Sequence, residues 1–216
     1  MKAGDGSRTM RPVPTVQDIA LDPPPDGVLV DPMTWYASPG PFEIEIGCGK
    51  GGFLLARARA RPDVRLLGIE WANKYFKFAA DRMARWNVSN VRVMRTDAAR
   101  FVMDHLPPEC VSAIHLYHPD PWPKKRHHKR RLVQADFAAA AVRSLSIGGY
   151  WLIQTDHEEY HEQIRCVLTA SPGLREIPWV DAEPARVPAW PGTNYEIKYT
   201  REGRSIERVA CQRIPM

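Results

Sequence analysis

Phe42-Glu43-Ile44-Glu45-Ile46-Gly47-Cys48-Gly49-Lys50-Gly51-Gly52-Phe53-Leu54-Leu55-Ala56-Arg57-Ala58-Arg59-Ala60 holds three local structures in succession. Phe42–Ile46 is short and β-branched, which suits a strand. Gly47–Gly52 turns the chain with residues free to take positive φ. Phe53–Ala60, rich in Ala and Leu, reads as a helix. Strand-like and helix-like segments then alternate downstream. Arg65–Glu70 is a second strand and Ala72–Trp86 a helix with Phe76, Ala79, Ala80 and Met83 on its inner face. Val91–Arg95 is a third strand and Ala98–His105 a short helix. Val111–Tyr117 is a fourth strand, free of breakers and mostly apolar, as a strand buried on both faces should be. Lys129–Leu145 is expected to be a helix stopped by Gly148 and Gly149, followed by a strand at Tyr150–Gln154 and a helix at His157–Leu168. This alternation predicts an α/β fold, a mostly parallel sheet with helices on both faces.

The flanks differ in character. Residues 1–40 hold Pro12, Pro14, Pro23, Pro24, Pro25, Pro32 and Pro39, so they are expected to form a proline-rich tail and coil packing against a main domain at 41–216. Trp35 and Tyr36 are expected to cover an apolar edge of that domain. Beyond Ser171, prolines predict loops with one edge strand at Leu174–Val180 and a last strand at Ser205–Arg213. Thr193-Asn194-Tyr195-Glu196 has capping-box spacing, so a short helix starts there and ends at Gly203.

Composition narrows the classes. The 216 residues are 44% hydrophobic, enough for one sizeable core, and the formal net charge of +5 suits an anionic partner. Cys48, Cys110, Cys166 and Cys211 are scattered without a Cys-x-x-Cys pair, which argues against a zinc ribbon or a disulfide framework. No apolar run approaches the roughly 18–20 residues of a membrane span, and the N-terminus lacks a secretory core. Cytoplasm is the expected compartment, with reduced thiols.

Two stretches carry chemistry. At the glycine turn, backbone N–H groups can approach a ligand closely. The Gly-x-Gly-x-x-Gly spacing keeps a dinucleotide site open as a reading. Glu45 favours another, because a carboxylate just before the first glycine repels a pyrophosphate and can pair with an ammonium. Glu70, closing the second strand, is placed for ribose hydroxyls, and Asp97, just past the third, for an adenine edge. Carboxylates at three successive strand ends suit S-adenosylmethionine, which has an amino-acid end, a ribose and an adenine but no phosphate.

The second stretch is His118-Pro119-Asp120-Pro121-Trp122-Pro123-Lys124-Lys125-Arg126-His127-His128-Lys129-Arg130-Arg131. Its prolines force a stiff extended corner that fixes Asp120 and Trp122 where the fourth strand ends. Six Lys/Arg follow from Lys124 to Arg131. At the start of a helix they would oppose the macrodipole, and that placement suggests an anionic partner such as an RNA backbone.

Glu-Ile-Gly-x-Gly-x-Gly, Gly-Ile-Glu, the Pro-Asp-Pro-Trp corner with its basic run, Gln-Thr-Asp and Thr-Asn-Tyr-Glu together resemble the bacterial tRNA (guanine-N7)-methyltransferase family, from about Pro41 to Arg213. The resemblance implies a Rossmann-like seven-stranded methyltransferase sheet. It also implies methyl transfer from S-adenosylmethionine to guanine N7 at position 46 of the tRNA variable loop. Carried over by position, Glu45, Gly47, Gly49, Glu70, Asp97 and Asp120 are cofactor contacts, Asp120 being catalytic as well. Lys124, Asp156, Thr193, Asn194, Tyr195 and Glu196 are substrate contacts; the rest of the basic run, Lys125, Arg126, Lys129, Arg130 and Arg131, is expected from its charge to meet the RNA backbone. Asn194 stands where Lys is common and Tyr195 where Phe is common. Other outcomes are a methyltransferase for another RNA or guanine position, or a silent RNA-binding module. Monomer and homodimer both remain open.

His157-Glu158-Glu159-Tyr160-His161 fits the His-Glu-x-x-His zinc pattern. It directly follows a strand and lacks a third ligand in a helical context, so no metal is expected. His105, His115 and His118 are expected in core or turn positions.

Overall fold

In the computed structural model, residues 13–188 and 192–216 are described; the side chains of Asn194 and Tyr195 and the first part of the expected tail lie outside the described residues. A short helix α1 (Val16–Ile19), closed by a Thr15–Asp18 capping box, leads into a two-residue strand β1 (Ala20–Leu21). A 3-10 helix (Pro32–Trp35) then brings Tyr36 into the core, where its hydroxyl donates to Leu66 O at 2.8 Å. Strand β2 (Phe42–Ile46) and helix α2 (Gly52–Ala60) flank the glycine turn. Strand β3 (Arg65–Ile69), helix α3 (Asn73–Arg85), strand β4 (Val91–Met94) and helix α4 (Ala98–Asp104) follow. The second half contains β5 (Val111–Tyr117), α5 (Ala135–Ser144), β6 (Leu145–Thr155), α6 (Glu158–Thr169), β7 (Leu174–Ile177), α7 (Asn194–Arg201) and β8 (Glu207–Arg213).

The strands form one sheet in the order β1-β4-β3-β2-β5-β6-β8-β7. All pairings are parallel except those of β8, which runs antiparallel to β6 and β7. Among the described residues, the expected sheet accounts for seven of the eight strands; the added one is β1, whose Ala20 and Leu21 pair with Val93 and Met94 on β4.

Alternation sorts side chains between the two faces. Phe42, Ile44, Ile46, Ile114, Leu116 and Trp151 pack on one side against α4, α5 and α6, with Phe137 edge-on to Trp151 at 5.8 Å. On the other side α2 and α3 cover β3 and β4 through Leu54, Ala58, Ala79 and Met83. Gly68 sits beneath the glycine turn. A Cβ there would come within 2.9 Å of Cys48 Sγ, so glycine lets the turn lie flat on β3.

Two boundaries differ from expectation. The helix expected from Lys129 begins only at Ala135; Lys125–Arg130 forms a separate 3-10 helix. Cations three and four apart repel one another along an α-helix. Arg131 and Val133 are both buried and Gln134 is extended, which breaks any continuous helix. The glycines do not stop that helix either. It ends at Ser144, and Gly148 (φ 82°) and Gly149 lie inside β6, where pairing jumps from Val111–Leu145 to Ala113–Tyr150. Gly148 supplies the positive φ, and the lack of a Cβ at Gly149 lets the bulge close against the Ser146, Ser112 and Val111 carbonyls.

Candidate active site

The order of strands reverses between β2 and β5, and the loops at their carboxyl ends lie side by side. In open α/β sheets ligands bind at such a crevice. On the β2 side, Gly47 (φ 73°) and Gly49 (φ 53°) take left-handed backbone. The N–H groups of Gly47 and Cys48 both donate to Ile69 O, at 2.8 and 3.1 Å. Glu70 fixes the turn from β3: one carboxylate oxygen accepts Gly49 N–H at 2.9 Å, the other Ala72 N–H at 2.7 Å. A Cβ at Gly47 or Gly49 would meet nothing within 4 Å, so space above the turn is open.

Glu45 lies under this turn, 4% exposed, and its Oε2 has no hydrogen-bond partner among the described residues. Burial drives its pKa well above the usual carboxyl value. Leu54 N–H opposes the shift and the neighbouring Glu70 charge adds to it. A buried carboxyl with one unmatched oxygen beneath open space at the glycine turn suits a ligand bearing a cation. Asp97 caps α4 by accepting Arg100 N–H at 3.0 Å and is exposed to solvent.

From β5 comes the proline corner. His118 (φ 52°) and Trp122 (φ 44°) both adopt left-handed backbone, a strain of about 1–3 kcal/mol each that surrounding contacts must offset. Asp120 lies exposed between them. Arg130 stacks its guanidinium 4.9 Å from the Trp122 ring, and His127 meets the ring edge at 5.9 Å. The corner and the basic 3-10 helix are therefore one packed unit. Lys124, Lys125, Arg126, Lys129 and Arg130 face solvent.

Arg131 is a correction to the expected RNA-facing run. It is 3% exposed, donates to Pro121 O at 2.8 Å and Gln163 Oε1 at 2.7 Å, and lies over the Tyr160 ring. Its role is to hold the corner from inside. The run also lies outside α5 and so does not oppose that helix's macrodipole; its exposure and charge remain.

The third side is a polar network at the ends of β6 and β8. Thr193 and Glu196 form the expected capping box, with Glu196 N donating to Thr193 Oγ1 at 2.9 Å. Glu196 also accepts from Gln154 Nε2 at 3.0 Å and Arg208 at 2.6 Å. Asp156 pairs with Arg204, and the His118 ring reaches it at 3.5 Å. Burial lowers the His118 pKa against the pull of Asp156. A cavity of about 210 Å³ opens here between Gln154, Trp179, Glu196 and Arg208. A larger one, about 600 Å³, lies away from the turn, between Ala135, Val142, Cys166 and Met216.

Reading by sequence missed Gln154, Trp179, Arg204 and Arg208 as neighbours of the expected site; only long-range pairing of β6 with β8 brings them there. It also missed a buried ion chain. Glu43 receives two bonds from Arg57, at 2.6 and 3.0 Å, and lies 3.0 Å from His115 Nε2. Arg57 continues to Glu183 at 2.9 Å, which anchors the Trp179–Ala185 loop. Glu43 and His115, polar residues within largely apolar strands, were the available signal.

The His-Glu-x-x-His pair is used otherwise. His157 caps α6 through Nδ1, which accepts Tyr160 N–H at 3.3 Å. His161 lies 4.0 Å from Glu207.

A family described as Putative methyltransferase (Methyltransf_4) matches residues 39–209. The tRNA (guanine-N(7)-)-methyltransferase of Nocardia farcinica (strain IFM 10152) is 37% identical over 185 residues, covering 82% of this chain and 69% of that protein. That of Bordetella pertussis (strain Tohama I) is 36% identical over 177 residues, with the same coverage of 82% and 69%. Among solved structures, the aminoglycoside resistance methyltransferase NpmB1 aligns with a TM-score of 0.55 at 15% identity, over 85% of this chain and 90% of that one. Geranyl diphosphate C-methyltransferase from Streptomyces coelicolor A3(2) aligns at 0.53 and 17%, over 83% and 76%. At these identities the structures speak to the fold alone.

Proposed function

The chain belongs to the tRNA (guanine-N7-)-methyltransferase family, and from that premise we propose that it methylates N7 of a guanine in the tRNA variable loop, at position 46, using S-adenosylmethionine. The observation that carries the reading is the buried Glu45 carboxyl, its Oε2 unpartnered beneath an open glycine turn. S-adenosylmethionine, when bound, supplies a methyl group on a positively charged sulfur. Glu45 takes its ammonium in the open space above Gly47 and Gly49, whose own N–H groups stay bonded to Ile69 O and Glu70. Glu70 accepts from the ribose hydroxyls and Asp97 from the adenine amino group. The methyltransferase domain is residues 41–216, with residues 13–40 packed onto it through α1, β1 and Tyr36, and its compartment is the cytoplasm.

Guanine N7 is a bare lone pair, so displacement there removes no proton and needs no general base. What it needs is alignment and a counter-charge for the purine as it becomes cationic. Asp120, held in the proline corner, provides that charge. Guanine's N1–H and N2–H₂ are neighbouring donors, which Asp156 or Glu196 accepts and which adenine lacks. Lys124 and Thr193–Glu196 orient the base, while Lys125, Arg126, Lys129 and Arg130 hold phosphates.

The test is nucleoside analysis of tRNA incubated with the protein and labelled S-adenosylmethionine. The expected product is 7-methylguanosine, lost in Asp120→Ala, with the chemical step flat across neutral pH. Unmethylated tRNA from a preparation saturated with cofactor would end the reading. Label in a different nucleoside would assign another methyl acceptor.

A further inference from the structure

The first turns of α3 are exposed almost all round. Asn73, Lys74, Tyr75, Lys77 and Phe78 face solvent, Phe76 is only partly covered, and burial begins at Ala79. This end of the helix stands clear of the sheet's carboxyl edge, beside the glycine turn. Its aromatic exposure is large: Trp71 67%, Tyr75 41% and Phe78 42%. Contiguous exposed aromatics mark an interaction surface rather than a packing remainder. Cations already lie on two of the rings, Lys50 over Phe78 at 5.7 Å and Arg95 over Trp71 at 6.0 Å. Arg82 bonds the Lys50 carbonyl at 3.2 Å, and the nearby acid Asp81 is paired with Arg85. The face is thus aromatic and cationic, with no unmatched acid on the outer side of α3.

We propose that Lys74, Tyr75, Lys77 and Phe78, continued by Lys50, Trp71 and Arg95, form a second RNA-binding surface that takes an unpaired strand of the substrate tRNA next to the methylated base. The inference rests on the proposed methyl transfer to tRNA. Unpaired bases stack on aromatic rings while lysines meet the phosphates between them, and this surface presents both at once. A protein surface or a second copy of the chain would not require the excess of cations. Position supports the same occupant. Strands β3, β2 and β5 are neighbours, roughly 5 Å apart. The segments after them carry Trp71 with the start of α3, Lys50 and Lys124–Arg130 in that order, so one RNA chain can cross the crevice from the basic 3-10 helix to α3.

The test uses full-length protein and two double variants, Lys74→Ser/Lys77→Ser and Tyr75→Ser/Phe78→Ser. Readouts are tRNA binding at several salt concentrations, KM and kcat for tRNA, S-adenosylhomocysteine affinity, Tm and mass in solution. The lysine variant is expected to flatten the salt dependence of tRNA binding by about one unit or more of log–log slope. The aromatic variant is expected to raise KM for tRNA about tenfold. In both, kcat at saturating tRNA, S-adenosylhomocysteine affinity and Tm stay at wild-type values. Wild-type binding, slope and KM in both variants overturn this surface and leave the methyl transfer standing. Wild-type protein that binds tRNA without methylating it ends the reaction, yet upholds the surface if the variants lose binding. No tRNA binding by wild type ends both. A change in mass in place of RNA affinity assigns the face to a second copy and overturns the proposal.

Discussion

At the scale of single residues, two buried acids on one face of β2 behave in opposite ways, because one is paired with Arg57 and His115 and the other has only the Leu54 N–H. Glu45 has an unpartnered oxygen, and burial raises its pKa well above the usual 4.5. A raised carboxyl favours the folded state fully below its unfolded pKa, and the benefit fades as pH rises through the folded value. Glu45→Gln is therefore expected to raise the Tm of the ligand-free protein at pH 8 more than at pH 4. It should also weaken S-adenosylhomocysteine binding by about 2–5 kcal/mol, the cost of removing one side of a buried charged contact. Titration calorimetry giving wild-type affinity would remove Glu45 from the cofactor site. Glu43 is the contrary case. Burial pushes its pKa up, but hydrogen bonds from His115 and Arg57 prevail and hold it at about 2. Its stabilising contribution is present above about 4.5 and lost as pH falls towards 2. His115, lowered chiefly by burial, works in the same direction, since acid must charge it inside the core. Arg57→Met leaves Glu43 without its main cation and should cost about 3–5 kcal/mol at pH 7 in urea unfolding. Most of that loss should return in the double variant with Glu43→Leu; a single variant as stable as wild type would show the ion chain to be idle.

At the scale of elements, what could be read from the sequence was whatever depends on neighbours along the chain. Strand–turn–helix alternation depends on period and breakers, and β2, β3, β4 and β5 fall where those signals put them. The Thr193–Glu196 capping box was legible for the same reason: its partners are three residues apart. The start of α5 was not, because it is decided from a distance. Gln163, on α6, and the Pro121 carbonyl draw Arg131 inward, and a string of cations then ends with a buried one. Composition gives no sign of which cation turns in. The Glu196–Arg208 and Asp156–Arg204 pairs were hidden likewise, since their members meet only after β8 returns beside β6. Arg131 offers the test at this scale. It bonds through both Nε and a terminal nitrogen, a fork that lysine cannot reproduce. Arg131→Lys is expected to loosen the corner and lower kcat about tenfold, as a small misplacement of reacting groups does. The salt dependence of tRNA binding should stay at the wild-type slope, because the residue is enclosed. A flattened slope with kcat intact would return Arg131 to the RNA-facing set.

At the scale of the whole molecule, the parallel strands β3, β2, β5 and β6 deliver Glu70, the glycine turn, Asp120 and Gln154 to one edge, so a single crevice collects side chains distant in sequence. The same edge carries the outward cations Lys124, Lys125, Arg126, Lys129 and Arg130. A net charge of +5 would attract RNA weakly wherever it lay, so local and global charge must be told apart. If those five cations each neutralise a phosphate, a fourfold rise in salt should weaken tRNA binding by a few hundredfold, on the order of 10²–10³. S-adenosylhomocysteine binding, free of phosphate contacts, should barely respond. Replacing Lys125, Arg126 and Lys129 by serine should flatten the log–log slope by about one unit per residue. Removing the same net charge at Arg165 and Arg175, which lie by the far edge strand β7, together with exposed Arg59 at the C-terminal end of α2, should leave it nearly unchanged. Equal flattening in the two triple variants would mean that RNA responds to total charge, and the crevice would lose its claim to orient the tRNA.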